Sequence, residues 1–183
     1  MNILERNEYV MMANERLGDV PQCAFPARYG LRWYAPGDMD TWVKVQQAAE
    51  RYETIDRELF VREFGEDADK LTTRMGFMVN PWGEAIGTIA AWADAQYNNA
   101  EYGRIHWVAI VPAEQGKGLA KPMLSAACQR LLELGYGQAY LVTSTARVPA
   151  INLYRQFGFE PVIRDDNERE IWREMGAHLK QPR

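Results

Sequence analysis

The chain contains 183 residues, of which 47% are hydrophobic and 25% charged, and its formal net charge is −4 at pH 7. These values are typical of a globular protein, and the negative net charge argues against a nucleic-acid partner. Because no apolar run reaches about 18 residues, no membrane span is predicted, and residues 1–6 lack the apolar core of a signal peptide. We therefore expect one cytoplasmic domain over residues 1–183, with residues 1–27 as an N-terminal arm.

Cysteine and histidine are too sparse to suggest a metal site. Cys23 and Cys128 stand apart from each other, and the histidines are His106 and His178. None of these residues shows the spacing of zinc ligands, so the sequence predicts no metal. Cys128 lies in an apolar helical pattern, which favours a buried thiol over a nucleophile.

The first part of the chain consists of short predicted elements separated by turns. The pattern predicts a helix over 6–17, an irregular stretch that contains Pro21 and Pro26, and a strand over 29–34. Asp38 is placed to cap the helix that follows it. Further on, we expect two helices over 39–52 and 55–64, followed by a polar loop over 66–70. A hairpin of two strands over 75–79 and 85–94 and a second loop over 96–103 come next.

The second part alternates between strands and helices. A continuous apolar strand is predicted over 105–111, and the helix over 118–134 ends at Gly135. A strand over 139–143, a helix from Pro149 to Gly158 and a closing hairpin of 159–163 with 170–174 follow. This order predicts a mixed α/β fold whose central sheet has about seven strands and is flanked by helices.

The most specific signal is a turn of six residues, which we call the glycine turn: Gln115, Gly116, Lys117, Gly118, Leu119 and Ala120. It joins the apolar strand to the next helix. The first N–H groups of a helix have no intrahelical acceptor, and glycine lets an anion approach the backbone closely, so the turn suits phosphate. It is neither a Walker loop nor a dinucleotide fingerprint. A nucleotide-binding α/β protein that uses the turn for another phosphate is one interpretation.

Two blocks of sequence resemble the GNAT N-acetyltransferase superfamily. The glycine turn matches the family's acyl-CoA pyrophosphate loop, Gln/Arg-x-x-Gly-x-Gly/Ala, through Gln115, Gly118 and Ala120. A later block is similar to the family helix Ala-x-x-Leu-Tyr-x-x-x-Gly-Phe, through Ala150, Leu153, Tyr154, Gly158 and Phe159. The blocks stand in the family's order and together cover residues 104–163.

The resemblance implies a mostly antiparallel sheet in which the fourth predicted strand splays from the fifth. The V-shaped cleft between them would hold acetyl-CoA, the acyl donor. The backbone of Val108, Ala109 and Ile110 would pair with its pantetheine arm, and the glycine turn would bind its pyrophosphate. Many members carry an Asn that contacts the cofactor seven positions before the tyrosine. This chain has Arg147 there, so either Arg147 makes that contact or the contact is lost.

The resemblance also implies catalytic roles. Tyr154 would protonate the leaving thiolate, and a backbone N–H of Ile110 or a neighbour would donate to the thioester oxygen. Some members place a Glu base where this chain has Arg104. His106, two residues on, titrates near neutral pH and suits proton removal from an ammonium acceptor; a packed histidine is the competing interpretation. Glu101, Glu84 and a water chain are further candidates for the base.

The family's acceptor site implies a role for residues 50–70 and nearby strand ends. The candidates are polar or aromatic: Tyr52, Arg57, Glu58, Arg62, Trp82 and Trp92. Acids and arginines are both present, which is compatible with a zwitterionic acceptor. The overall prediction is acetyl transfer from acetyl-CoA to a primary amine of a small molecule, with a homodimer left open. A protein N-terminal or lysine acetyltransferase and a non-catalytic acyl-CoA-binding regulatory module are the alternatives.

Overall fold

The computed structural model of the protein describes residues 1–95, 97 and 101–180. Its strands form one seven-stranded sheet: β1 Tyr9–Asn14, β2 Gly30–Trp33, β3 Met75–Val79, β4 Ala85–Trp92, β5 Gly103–Ile110, β6 Ala139–Ser144 and β7 Glu160–Pro161. Their spatial order is β2-β3-β4-β5-β6-β1-β7. Neighbouring strands pair antiparallel except β5 and β6, which pair in parallel. The predicted fold class, a mixed and mostly antiparallel sheet flanked by helices, is confirmed.

Helices cover both faces of this sheet. They are α1 Ile3–Arg6, α2 Met39–Ala49, α3 Arg57–Phe64, α4 Ala68–Arg74, α5 Ala120–Glu133, α6 Val148–Gln156 and α7 Asp166–Met175, with short 3-10 segments at Leu17–Asp19 and Pro112–Glu114. No helix in the described part of the chain is long and apolar enough to cross a membrane.

The core consists of two main apolar clusters, one on each face. Along β4, Ile89 and Ala91 join the cluster that contains α5, whereas Ala90 and Trp92 join the cluster of α2, α3 and α4. Side chains alternate between the faces of a strand, so a strand buried on both faces is apolar throughout. β4 and β5 are central strands of this kind, except that they also bury three polar side chains, Thr88 on β4 and Arg104 and His106 on β5.

Several elements confirm the sequence predictions closely. β3 has the predicted bounds, and β2, β4, β5, β6, α2, α3, α5 and α6 lie where expected with small changes at their ends. Gly135 and Gly158 follow α5 and α6 with φ values of +92° and +74°, as glycines after a helix C-terminus often do. Of the loop predicted at 96–103, residues 96 and 98–100 lie outside the described residues, and Gly103 begins β5.

The N-terminal prediction is wrong. Residues 9–14 form β1 instead of a helix, and this strand lies inside the sheet between β6 and β7. The sequence of β1, Tyr-Val-Met-Met-Ala-Asn, is also compatible with a helix. Pairing with β6 makes it a strand, because the preference for a strand depends on neighbouring strands that are distant in sequence. Residues 9–14 of the predicted arm are therefore part of the sheet.

Two further elements differ from expectation. Residues 170–174 belong to α7 and not to a strand, because Asp165 caps the helix by accepting from the Glu168 N–H at 2.8 Å. The predicted polar loop at 66–70 instead begins α4, which Asp67 caps in the same way. Asp38 does stand before α2, but its carboxylate accepts from Arg32 and from the Ala35 N–H, and it makes no side-chain cap to the backbone of that helix.

Candidate active site

The cleft lies where β5 and β6 separate. The two strands pair only through Gly103 with Ala139 and Arg104 with Tyr140 in the described ladder. Beyond these residues β5 continues to Ile110 beside β4, with Ala109 opposite Thr88 and Ile110 opposite Gly87. The edge of β5 that faces away from β4 is thus not paired with β6 over its last residues. The expected V-shaped opening is confirmed, and Val108, Ala109 and Ile110 lie along it.

A bulge interrupts β5 inside the cleft. Thr88 lies opposite Ala109 and Ala90 opposite His106, so β5 has one residue more than β4 in this interval. Trp107 in the bulge has a φ of +49°. A bulge re-aims the backbone locally. As a result, His106 and Trp107 both contact the α2–α3 side, where their rings lie 5.5 Å from Phe64 and 5.3 Å from Trp42 respectively.

The glycine turn follows β5 at the open end of the cleft. Gly116 and Gly118 both have a φ of +77°, and a Cβ at either position would meet nothing within 4 Å. The Gln115 amide donates to the Ile110 carbonyl at 2.8 Å and ties the turn to the strand, while Lys117 pairs with Glu114 at 2.9 Å. Leu119 is buried and precedes α5. The turn therefore presents open backbone to solvent.

The two helices that begin beside the cleft differ from most of the others at their N-termini. α1, α3, α4 and α7 each receive a side-chain cap, from Asn2, Asp56, Asp67 and Asp165. By contrast, α5 and α6 have neither a side-chain cap nor an acidic residue in the first turn. Pro122 is the third residue of α5, where its missing N–H is tolerated. Uncapped helix N-termini with no acidic residue in the first turn are suited to an anion.

Arg147 stands at the start of α6 and reaches across the cleft. Its guanidinium donates to the Glu50 carboxylate at 2.6 Å and lies 5.6 Å from the centre of the Tyr52 ring. Close by, the Tyr9 hydroxyl of β1 donates to Glu53 at 2.8 Å. Residues 50–53 follow α2, which packs on β4 and β5, so these contacts join the two sides of the cleft. They bring Arg147 together with the predicted acceptor residue Tyr52.

Tyr154 is buried on α6. It is 6% exposed and belongs to the same apolar cluster as Ile105 of β5 and Leu119 of the glycine turn. Burial raises the pKa of its phenol to about 12, and the positive charge of Arg147 opposes this shift. The hydroxyl therefore keeps its proton at neutral pH, which is the state that an acid requires.

His106 lies on β5 against α3. Its Nε2 is 3.0 Å from the Glu63 carboxylate, and the same carboxylate oxygen accepts from the Trp107 indole N–H at 3.1 Å. The hydrogen bond from His106, aided by that from Trp107, lowers the pKa of Glu63 to about 2 despite the opposing effect of burial. Burial lowers the pKa of His106, and Arg104 adds to this, while Glu63 opposes it. The arrangement is a neutral imidazole that donates to an ionised carboxylate.

The remaining candidates lie in varied environments. Arg104 pairs with Asp94 at 2.7 Å, and Trp92 is buried in the α2–α3 cluster. Glu84 accepts from Asn80, and Arg57 pairs with Asp40. Glu101, Glu58, Arg62 and Trp82 are exposed.

Cys128 and two cavities near β7 are not part of the cleft described above. Cys128 is fully buried, which raises the pKa of its thiol to about 12. In the part of the chain that the structure describes, no three His, Cys, Asp or Glu side chains converge as a metal site. Cavities of about 720 and 270 Å³ lie near β7, both bordered by Arg155 and Glu160, and their linings do not include the glycine turn.

Three polar side chains near the cleft were not identified from the sequence: Gln46 and Thr88, which are buried, and Glu63, which is half-buried. Gln46 and Thr88 both donate to the Trp107 carbonyl, at 3.0 and 2.9 Å. A buried polar side chain on an apolar helix face or strand is a signal, but the sequence does not show which backbone group it meets.

Comparison with known proteins assigns these features to one family. The model of the acetyltransferase (GNAT) family matches residues 40–159. The chain is 29% identical to mycothiol acetyltransferase of Pseudarthrobacter chlorophenolicus over 151 residues, which cover 77% of this chain and 45% of that protein. Against mycothiol acetyltransferase of Catenulispora acidiphila it is 25% identical over 173 residues, covering 85% and 52%. The chain spans about half the length of these curated relatives.

Solved structures share the fold. A GCN5-related N-acetyltransferase from Sphaerobacter thermophilus has a TM-score of 0.69 at 20% identity, covering 84% of this chain and 48% of that one. The ribosomal-protein-S18-alanine N-acetyltransferase from Escherichia coli has a TM-score of 0.59 at 16% identity, covering 74% and 79%. The family match extends over more than half of the chain and includes both the glycine turn and Tyr154, so the chain belongs to the acetyltransferase (GNAT) family.

Proposed function

We propose that the protein transfers an acetyl group from acetyl-CoA to the primary amine of a small molecule. The observation that carries this proposal is the glycine turn, which has open backbone at two positive-φ glycines and leads into the uncapped helix α5, at the point where β5 has left β6. The name of the curated relatives, mycothiol acetyltransferase, supports acetyl as the group transferred.

The cleft would hold acetyl-CoA in an extended form. The turn N–H groups would bind the pyrophosphate, and the free edge of β5 at Val108, Ala109 and Ile110 would hydrogen-bond the pantetheine arm as an added strand does. Arg147 is placed to contact the cofactor only if it exchanges its Glu50 partner for the ligand. No metal enters this scheme.

The transfer needs a base, an oxyanion donor and an acid. The neutral amine nitrogen attacks the thioester carbon, and the C–S bond then breaks to release the CoA thiolate. Tyr154 would give its proton to that thiolate, and the attacking nitrogen would lose a proton as it becomes the amide, which restores the Tyr154 phenol through water. A β5 backbone N–H would stabilise the carbonyl oxygen. His106 would remove the ammonium proton, directly or through water. Its Nε2 is engaged with Glu63, which leaves Nδ1 as the nitrogen that accepts a proton.

A small acceptor is favoured over a polypeptide by the contacts across the cleft. Glu50 with Arg147 and Tyr9 with Glu53 join residues 50–53 to β1 and α6. These contacts narrow the side of the cleft from which an acceptor would approach, and a peptide lying across it would have to break both.

The experiment is a thiol-release assay with acetyl-CoA and a panel of acceptors. The panel contains amino sugars, amino acids, polyamines, a peptide with a free N-terminus and a peptide with a lysine. We expect release with one class of small amine and an N-acetylated product by mass spectrometry, and slow release by Tyr154→Phe. Release with the peptides alone would favour a protein acetyltransferase, and binding of acetyl-CoA without transfer to any amine would favour the non-catalytic module.

A further inference from the structure

The backbone of Trp107 is held in a conformation that a large side chain rarely adopts. Its φ of +49° lies in the left-handed region, where the Cβ of an L-residue crowds the following carbonyl oxygen. Such a conformation persists only when surrounding contacts determine it, and it is most often found at functional sites.

Two buried side chains hold the Trp107 carbonyl. Gln46 of α2 is 2% exposed and donates through Nε2 to this carbonyl at 3.0 Å. Thr88 of β4 is fully buried and donates through its hydroxyl to the same oxygen at 2.9 Å. Gln46 also donates to the Thr88 hydroxyl at 2.7 Å, so the three groups form a closed triangle. The Trp107 ring is fixed separately, by Glu63 and by Trp42.

The direction of this carbonyl decides the direction of the next amide. In a trans peptide, C=O and N–H lie in one plane and point in opposite directions, and none of the described peptide bonds is cis. The Trp107 carbonyl points to α2 and β4, so the Val108 N–H points away from β4. On that side of β5 lies the cleft, since β6 has already diverged.

We infer that Gln46 and Thr88 are positioning residues for acyl transfer, which hold the Trp107 carbonyl so that the Val108 N–H is aimed at the thioester oxygen. The inference rests on the proposed function and selects Val108 among the β5 amides. The Gln46–Thr88 pair acts through the backbone and does not itself touch the substrate. Removing the pair should disturb recognition of the acyl group without disturbing the glycine turn.

The test compares acetyl-CoA with free CoA, which lacks only the acyl group. The protein is labelled with 15N-valine, and the Val108 amide resonance is followed in titrations with each ligand. Val79 on β3 provides a control resonance away from the cleft. The variants are Thr88→Val, which removes the hydroxyl at nearly constant shape, Thr88→Ser, which keeps it, and Gln46→Met, which removes the other donor. No acceptor is needed.

In the wild type we expect the Val108 amide to shift with acetyl-CoA well beyond its shift with CoA, while Val79 does not move. Thr88→Val and Gln46→Met should lose this acyl-dependent shift and still bind CoA, and Thr88→Ser should retain it. A Val108 amide that responds equally to both ligands, or a full response in folded Thr88→Val and Gln46→Met, would overturn the inference. If neither ligand binds the wild type, the proposed function itself is wrong.

Discussion

At the scale of single residues, Tyr154 provides the clearest test of chemistry. Burial raises the pKa of its phenol to about 12, so the proton stays available over the neutral range. Tyr154→Phe keeps the ring and removes the proton, and kcat should fall by roughly 10²–10⁴-fold with little change in acetyl-CoA affinity. Tyr102→Phe is the matched control, because this buried tyrosine bonds Glu15 away from the cleft. A kcat for Tyr154→Phe equal to that of the control would make Tyr154 a packing residue.

The proposed role of His106 as the base implies that activity depends on pH. If it removes the ammonium proton, kcat/KM rises with pH as the imidazole loses its own proton. Burial lowers the pKa of His106 from the ordinary 6.5, so this rise should be complete at a lower pH than a solvent-exposed histidine would give. His106→Gln should remove that limb and leave the ionisation of the amine. The pH profile is measured with a small amine acceptor, and an unchanged profile in His106→Gln would direct attention to Glu101 or a water relay.

The residues that the sequence reveals are those that act close together in the chain. The glycine turn and Tyr154 are read from consecutive motifs, and the structure joins them in one apolar cluster through Leu119. Gln46, Glu63 and Thr88 are separated from Trp107 by 61, 44 and 19 residues. Their roles depend on which strand lies beneath which helix, and a local pattern does not carry that information.

At the scale of elements, the close approach of β4 and β5 depends on one glycine. A Cβ on Gly87 would lie 2.7 Å from the Ala109 carbonyl oxygen, which is backbone and has little freedom to move. Gly87→Ala should therefore lower the free energy of unfolding by about 1–3 kcal/mol and weaken acetyl-CoA binding by displacing β5. Gly30→Ala on β2 is the control, since its Cβ would meet only Val79 at 4.0 Å. Urea unfolding measures both, and equal stability of the two variants would contradict this account.

Two elements that differ from the prediction show where a local sequence pattern does not determine the secondary structure. The strand β1 is decided by its pairing with β6 and β7 and not by its composition. The helix α7 did carry local signals, because Asp165 and Glu168 have capping spacing and Arg173 pairs with Glu170 one turn away. Its buried residues Ile171, Trp172 and Met175 also follow helical spacing. These local signals favour a helix over the strand of the predicted closing hairpin.

At the scale of the whole molecule, the Glu63–His106 pair predicts how stability depends on pH. The pKa of Glu63 is lowered from 4.5 to about 2 in the folded protein, so its stabilisation is present above pH 4.5 and is lost as the pH falls toward 2. Because the pKa of His106 is lowered in the folded protein, the imidazole is protonated at a higher pH in the unfolded chain than in the folded protein. The free energy of unfolding should thus decrease as the pH falls below 6.5.

Urea unfolding from about pH 8 to about pH 4 measures this dependence. His106→Gln keeps a donor for Glu63 and cannot ionise, so its stability should decline less than that of the wild type just below pH 6.5. Parallel curves for the two proteins would show that His106 does not titrate differently in the folded and unfolded states.

We propose that the glycine turn binds the pyrophosphate of acetyl-CoA, and the test is isothermal titration calorimetry with Gly118→Glu. The control is Gly135→Glu, which introduces the same side chain at a glycine of similarly positive φ with open space around it, at the opposite end of α5. We predict that the wild type and Gly135→Glu bind acetyl-CoA and that folded Gly118→Glu does not. Equal affinity in Gly118→Glu and Gly135→Glu would contradict the account.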